Sequence, residues 1–217
     1  MTELSRPDVA QGALDQYTEL AELLEALDDR AWHAPTRCEG FEVRDVAGHV
    51  VGLAEDVVRG VPGSRTAVEE AAALRDFSSA EVAKHLRTAL EPIGALVNAL
   101  DDDAWNGPSP VEGLSLGRGV LTLWYDTYVH TDDIRAALDL PPLRGPGLRA
   151  AVEYLAGELE SRGWGPAEIA LDGLPPYAVG AGGPVITGDP LTFTMIATGR
   201  LDPEVLGLDA TVNIYAA

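Results

Sequence analysis

Asp126 and His130 stand four residues apart in Trp124-Tyr125-Asp126-Thr127-Tyr128-Val129-His130, an apolar helical pattern in which residues i and i+4 share one face. Leu123, Asp126, His130, Ile134 and Ala137 fall in line at helical spacing, and this stripe reads as the inward face. His49 interrupts a second stripe in the same way, among Phe41, Val43, Val46, Val50, Leu53 and Val57. Two imidazoles and a carboxylate pointing into one core suit a first-row divalent metal such as zinc. A site with three protein ligands keeps a position open for water or substrate. The same residues would equally serve as core histidines satisfied by hydrogen bonds, one of them to Asp126. Spacing alone leaves both readings open.

The elements that would carry these residues follow from periodicity and capping. A first helix is expected from Pro7 to Leu27, with Ala13, Tyr17, Leu20, Leu24 and Leu27 on its apolar face. After the loop Ala34 to Phe41, a second helix opens with Glu42 and Asp45 complementing its dipole and runs to about Gly60. A polar connection leads to Ser78-Ser79-Ala80-Glu81, a capping-box pattern ahead of a third helix to Leu100, with Pro92 predicting a kink. A Gly/Pro loop over Asn106 to Gly117 precedes a fourth helix from about Gly119 to Leu138, stopped by Pro141-Pro142. Four amphipathic helices with loops between them read as a bundle, so residues 1–142 form the first expected domain. From 147 to 217 the texture changes: a helix Leu148 to Ser161, β-like runs at Ala167 to Leu171, Pro184 to Thr187 and Thr211 to Tyr215, and a short helix Pro190 to Thr198. This is a small α+β C-terminal domain, with Gly180-Ala181-Gly182-Gly183 as a turn rather than a phosphate cradle, since no helix or Lys follows it.

Composition narrows the partners. Thirty-five acids against 15 bases give a formal charge of -20, which repels a phosphate backbone, so nucleic acid is excluded as a partner. No apolar run reaches membrane-spanning length and Met1 to Asp8 lacks the order of a signal peptide, so a cytoplasmic protein is expected. Cys38 is the single cysteine, which leaves His and carboxylates as metal ligands, and Lys84 is the single lysine. Covalent chemistry would therefore draw its nucleophile from outside the chain. Asp45, one turn before His49, is a candidate to orient that imidazole's second nitrogen, and otherwise a dipole partner of its helix. His33 and His85 lack a partner pattern and are expected to face solvent.

The run Thr36-Arg37-Cys38-Glu39-Gly40-Phe41-Glu42-Val43-Arg44-Asp45-Val46-Ala47-Gly48-His49-Val50 resembles the signature of the mycothiol-dependent maleylpyruvate isomerase family, within the DinB-like metal-binding bundles. Asp126 to Leu138, with its Pro-containing exit, is similar to that family's second ligand helix, and Ile186 to Arg200 to its small C-terminal domain. The resemblance implies an α+β architecture, a DinB-like four-helix bundle followed by a small C-terminal domain. It also implies a divalent metal, zinc first, on His49, Asp126 and His130, with Arg200 binding a substrate carboxylate. Mycothiol would be the thiol cosubstrate, adding to the conjugated double bond of a small electrophile and leaving after rotation, or staying attached in an S-transferase. Asp126 stands where the family more often has Glu, and Phe41 where it more often has Trp. Two other functions fit the same scaffold. One is a hydrolase using metal-activated water with Asp45 or Asp132 as base. The other is a non-catalytic ligand-binding or sequestering protein of specialised metabolism.

Overall fold

The computed structural model describes residues 4–216; Met1–Glu3, which fall in the N-terminal stretch read above for a leader, and Ala217 lie outside them. The described chain divides into two compact units, one spanning Arg6–Leu143 and the other taking up the residues from Arg144 onward together with Leu4 and Ser5.

In the first unit, α1 (Arg6–Glu25), α3 (Val43–Val58), α5 (Ser79–Ala99) and α7 (Leu116–Ala137) pack on one another, as α1 on α5 and α7 and α3 on α5 and α7. Leu20, Leu24, Val43, Val46, Val51, Leu86 and Ile134 are fully buried in their shared core. The shortfall of each helix start is met locally. Ser78 accepts from the Glu81 N–H, and Glu81 in turn accepts from the Ser78 N–H at 2.8 Å, the capping box expected from sequence. The α3 start uses Glu42 and Asp45 reciprocally. Helix α5 continues through Pro92 as one element. α1 and α7 approach closely at Gly12, where a Cβ would lie 2.2 Å from the Trp124 ring.

Three short helices add to the expected set: α4 (Ala67–Leu74) falls in the stretch read as a polar connection, and α2 (Asp29–Trp32) and α6 (Asp102–Asn106) fall between the expected helices and loops. Of these α4 matters most. Its own capping box, Thr66 with Glu69, starts it, and it lies along α3, where Gly48 and Gly52 leave room for its backbone. The connection into it is fastened by Arg65, which donates to the buried Asp56 carboxylate at 2.8 and 2.9 Å and to the Gly52 carbonyl at 2.8 Å. Arg59 donates to the same carboxylate.

The second unit sets α8 (Pro146–Ser161) and α9 (Pro190–Ala197) with a three-stranded sheet of order β2-β1-β3. β1 (Ala167–Leu171) pairs antiparallel with β2 (Tyr177–Val179), Ile169 opposite Tyr177, and parallel with β3 (Val185–Gly188), Ile169 opposite Ile186. Ala167, Ile169 and Leu171 are buried on alternate positions. The α+β class holds, but the strand expected at Thr211 to Tyr215 does not form. There Asp209 accepts from the Thr211 N–H and Asn213 from the Tyr215 N–H, both at 2.9 Å, and the chain makes a 3-10 turn over Ala210–Val212. Such side-chain-to-backbone bonds compete with a strand ladder. The third strand is instead the three-residue β2, too short for a period-2 pattern to register.

Because Asp56 is buried and carries charge, removing one of its two arginines leaves an acceptor underserved, which costs about 1–3 kcal/mol. Arg65→Ala is expected to lower the free energy of urea unfolding by that amount, and a change under about 0.5 kcal/mol would show that the ion cluster is not what fastens the α3–α4 connection.

Candidate metal centre

His49 on α3 and Asp126 and His130 on α7 come together in the first unit. Each offers one ligand atom, and the three atoms lie within 4.8 Å of one another. The Asp126 carboxylate sits between the rings, 3.5 Å from His49 Nε2 and 3.6 Å from His130 Nε2, and the imidazoles meet edge to face at 5.0 Å. Two ligands bonded at about 2.0–2.1 Å in tetrahedral geometry lie roughly 3.3 Å apart, so the spacing suits zinc, and the shorter acid reaches both histidines. The three side chains are 13–16% exposed. Asp126 and His130 thus face His49 of α3, with a small part of each side chain open to solvent. α7 also buries Trp124, Tyr125, Tyr128 and Val129, and Ile134 one turn beyond His130, with Thr127 and Thr131 donating to the carbonyls one turn back.

Both second ring nitrogens are held. His130 Nδ1 lies 2.9 Å from Asp133 Oδ2, and His49 Nδ1 lies 2.6 Å from Glu70 Oε2 on α4. Each Nδ1 thus faces a buried carboxylate, which leaves the two Nε2 atoms to converge on Asp126. The carboxylate of Asp133 also accepts from Arg37 Nε at 2.5 Å and from the Cys38 thiol at 3.2 Å. Cys38, His130 and Asp133 therefore form a second cluster of ligand-type groups, but the Arg37 guanidinium supplies the positive charge there.

Burial works against a charge on His49, but Asp126 and then Glu70 outweigh it and raise its pKa to about 10. In the metal-free protein His49 is thus held charged beside Asp126 and Glu70. Tyr17, on α1, is 1% exposed, and its hydroxyl makes no hydrogen bond of full geometry among the described residues. Burial pushes that phenol far above its usual value; the Thr127 hydroxyl draws it part of the way back, and Asp126 and Glu70 push it up again. It is a neutral donor beside the cluster.

Other expected site residues are placed differently. Asp45 spends its oxygens on the Glu42 N–H at 3.0 Å and on Arg75 at 3.4 Å, and the residue that faces His49 Nδ1 is Glu70. Asp132 is tied to Arg37 Nη2 at 2.6 Å and to the Leu143 N–H at 3.0 Å. Arg200 lies in the second unit, half-buried, with Nη1 donating to the Thr198 carbonyl at 3.2 Å. His85, read as partnerless, has Nδ1 2.7 Å from Glu55 and its ring beside Phe77, in an open groove of about 680 Å³. Glu70 was missed because its helix was read as a connection. The Thr66-x-x-Glu69 capping box was the signal that could have found it.

The raised pKa has a measurable consequence for the metal-free protein. His49 should remain charged at pH 8 by NMR titration. Its contribution to stability is fully present below the unfolded value of about 6.5 and is lost as pH rises through about 10. A His49 that titrates near 6.5 would contradict this electrostatic reading.

The sequence profile of the mycothiol maleylpyruvate isomerase N-terminal domain matches residues 13–135. The fold is similar to a crystal structure of the mycothiol-dependent maleylpyruvate isomerase, at 16% identity, a TM-score of 0.67 and 93% of each chain covered. It is also similar to a mutant of that isomerase with a histidine replaced by alanine, at 16% identity, a TM-score of 0.65 and the same coverage. No curated protein matches the sequence.

Proposed function

Since the chain belongs to the mycothiol maleylpyruvate isomerase N-terminal domain family, we propose that it is a metal-dependent enzyme that uses mycothiol to isomerise or S-conjugate a small, carboxylate-bearing electrophile. The observation that carries this reading is the convergence of His49 Nε2, His130 Nε2 and Asp126, with both Nδ1 atoms engaged by carboxylates. That donor set fits a divalent cation, zinc first. When bound, the metal would supply the positive charge that keeps a thiol as thiolate at neutral pH.

This chain's residues divide the remaining work. His49 gives up the proton that stands toward Asp126, so metal uptake releases it. Tyr17, held neutral by burial and by its acidic neighbours, acts through Asp126, beside which its buried hydroxyl keeps a proton. For an isomerase the thiolate sulfur forms a bond to one alkene carbon and the double bond's electron pair moves into the conjugated carbonyl. Rotation follows about the new single bond, and elimination restores the alkene and returns the thiolate. Arg200 is proposed to bind a substrate carboxylate, as the family resemblance implies. A cytoplasmic location fits, and among the described residues no helix is long and apolar enough to cross a membrane.

The hydrolase alternative needs a base, and Asp45 and Asp132 are both engaged elsewhere, which favours the thiol-dependent reading. Metal analysis of protein purified without chelator tests the proposal, with about one divalent ion per chain expected and His49→Ala and His130→Ala each losing it. Metal-free wild type would sink it. Metal affinity should strengthen by up to tenfold per pH unit between about pH 7 and 10, as the His49 proton is displaced more easily. Turnover of candidate electrophiles should require mycothiol, and thiol-independent turnover would shift the assignment to the hydrolase. Tyr17→Phe should keep the metal and lower kcat by roughly 10²-fold, and an unchanged kcat would remove the phenol from the mechanism.

A further inference from the structure

The ligand helices do not by themselves account for how His49 is held, because its orienting partner comes from α4. Building on the metal-centre reading above, we infer that Glu70 is a positioning residue, docked onto α3 through Gly48 and Gly52, that fixes Nε2 of His49 as the nitrogen turned to the metal. Glu70 is 2% exposed, and its Oε2 lies 2.6 Å from His49 Nδ1. A buried carboxylate needs a strong partner, and a purely structural acid here would take the guanidinium of nearby Arg65. That guanidinium is instead committed to Asp56 and to the Gly52 carbonyl. Glu70 therefore acts on the imidazole.

How the carboxylate gets there is written in the helix surface. Gly48 and Gly52 lie four apart on α3 and flank His49. A Cβ on Gly52 would stand 2.8 Å from Glu70 Cβ and 3.1 Å from its Cα, and one on Gly48 would stand 3.1 Å from the Ala71 backbone. Real Cβ atoms do not approach to 2.8 Å, so any residue larger than glycine at position 52 moves α4 outward and Glu70 with it, whereas one at position 48 asks the Ala71 backbone to give by a few tenths of an ångström. The two orienting carboxylates are also unequal. Asp133 shares its charge with Arg37 and Cys38, whereas Glu70 directs its hydrogen bond to His49, so Glu70 adds more electron density to its imidazole.

The test compares wild type with Glu70→Gln, Glu70→Ala and Gly52→Ala by zinc affinity in chelator competition, and by long-range proton–nitrogen NMR of the zinc-loaded protein, which reports the coordinated ring nitrogen of His49. Thermal melts of the metal-free proteins check folding. Glu70→Ala should weaken zinc binding by roughly 10- to 100-fold. Glu70→Gln, which keeps an acceptor for the Nδ1 proton, should lose less and retain Nε2 coordination. Gly52→Ala should weaken binding although every ligand and Glu70 itself remain. Near-isosteric Glu70→Gln decides the matter if Glu70→Ala does not fold: affinity equal to wild type overturns the inference. Coordination of His49 through Nδ1 in wild type also overturns it. Wild type that takes up no zinc overturns the metal reading itself, a result distinct from unchanged variants.

Discussion

The constraint on which the site depends is the occupation of both Nδ1 atoms by buried carboxylates. An imidazole free to rotate about its side-chain torsions presents either nitrogen, and two such rings would form no defined donor set. With Glu70 on one ring and Asp133 on the other, the two Nε2 atoms face one aspartate across gaps that a single cation spans. The rest of the first unit serves these two contacts. The Asp56 cluster fastens the connection into α4, the glycines of α3 let α4 lie close, and Arg37 with Cys38 holds Asp133 on α7.

Packing decides which side of each helix meets water. α7 buries large apolar residues and two threonines whose hydroxyls donate to carbonyls of their own helix, so the interior tolerates these polar groups. Close contact at Gly12, where Trp124 fills the space a side chain would take, keeps α1 tight against α7 and brings Tyr17 near the acid. Burial, helix packing and site accessibility are thus set by the same few contacts.

Charge separates the two clusters of ligand-type residues. Cys38, His130 and Asp133 meet as closely as the other three, yet Arg37 is paired there with Asp132 and Asp133, and a cation would be repelled by a guanidinium already in place. At His49 and Asp126 the local charge is negative, and what balances it in the metal-free protein is a proton on His49. On the proposed reading a divalent ion would replace that proton, so the same electrostatics that stabilise the protonated imidazole would favour the ion.

Several elements were legible in the sequence because they depend on local chemistry. The 3.6-residue period, the Ser78–Glu81 box, the Pro141-Pro142 stop and the change of texture after Gly147 placed the four long helices and the α+β tail near their observed limits. The signature around His49 and the i,i+4 pair Asp126–His130 named the three ligand-type residues, since a family motif and a helical repeat are both written in adjacent residues. The strand misread at Thr211 to Tyr215 shows where that reading stops, because Asp209 and Asn213 turned an apolar alternation into a turn. Only the tertiary structure decided that Glu70 rather than Asp45 faces His49. That relation joins residues 21 apart across α3 and α4 and depends on how closely the two helices approach. A sequence fixes the period of a helix, whereas the close approach of a second backbone fixes what each face meets.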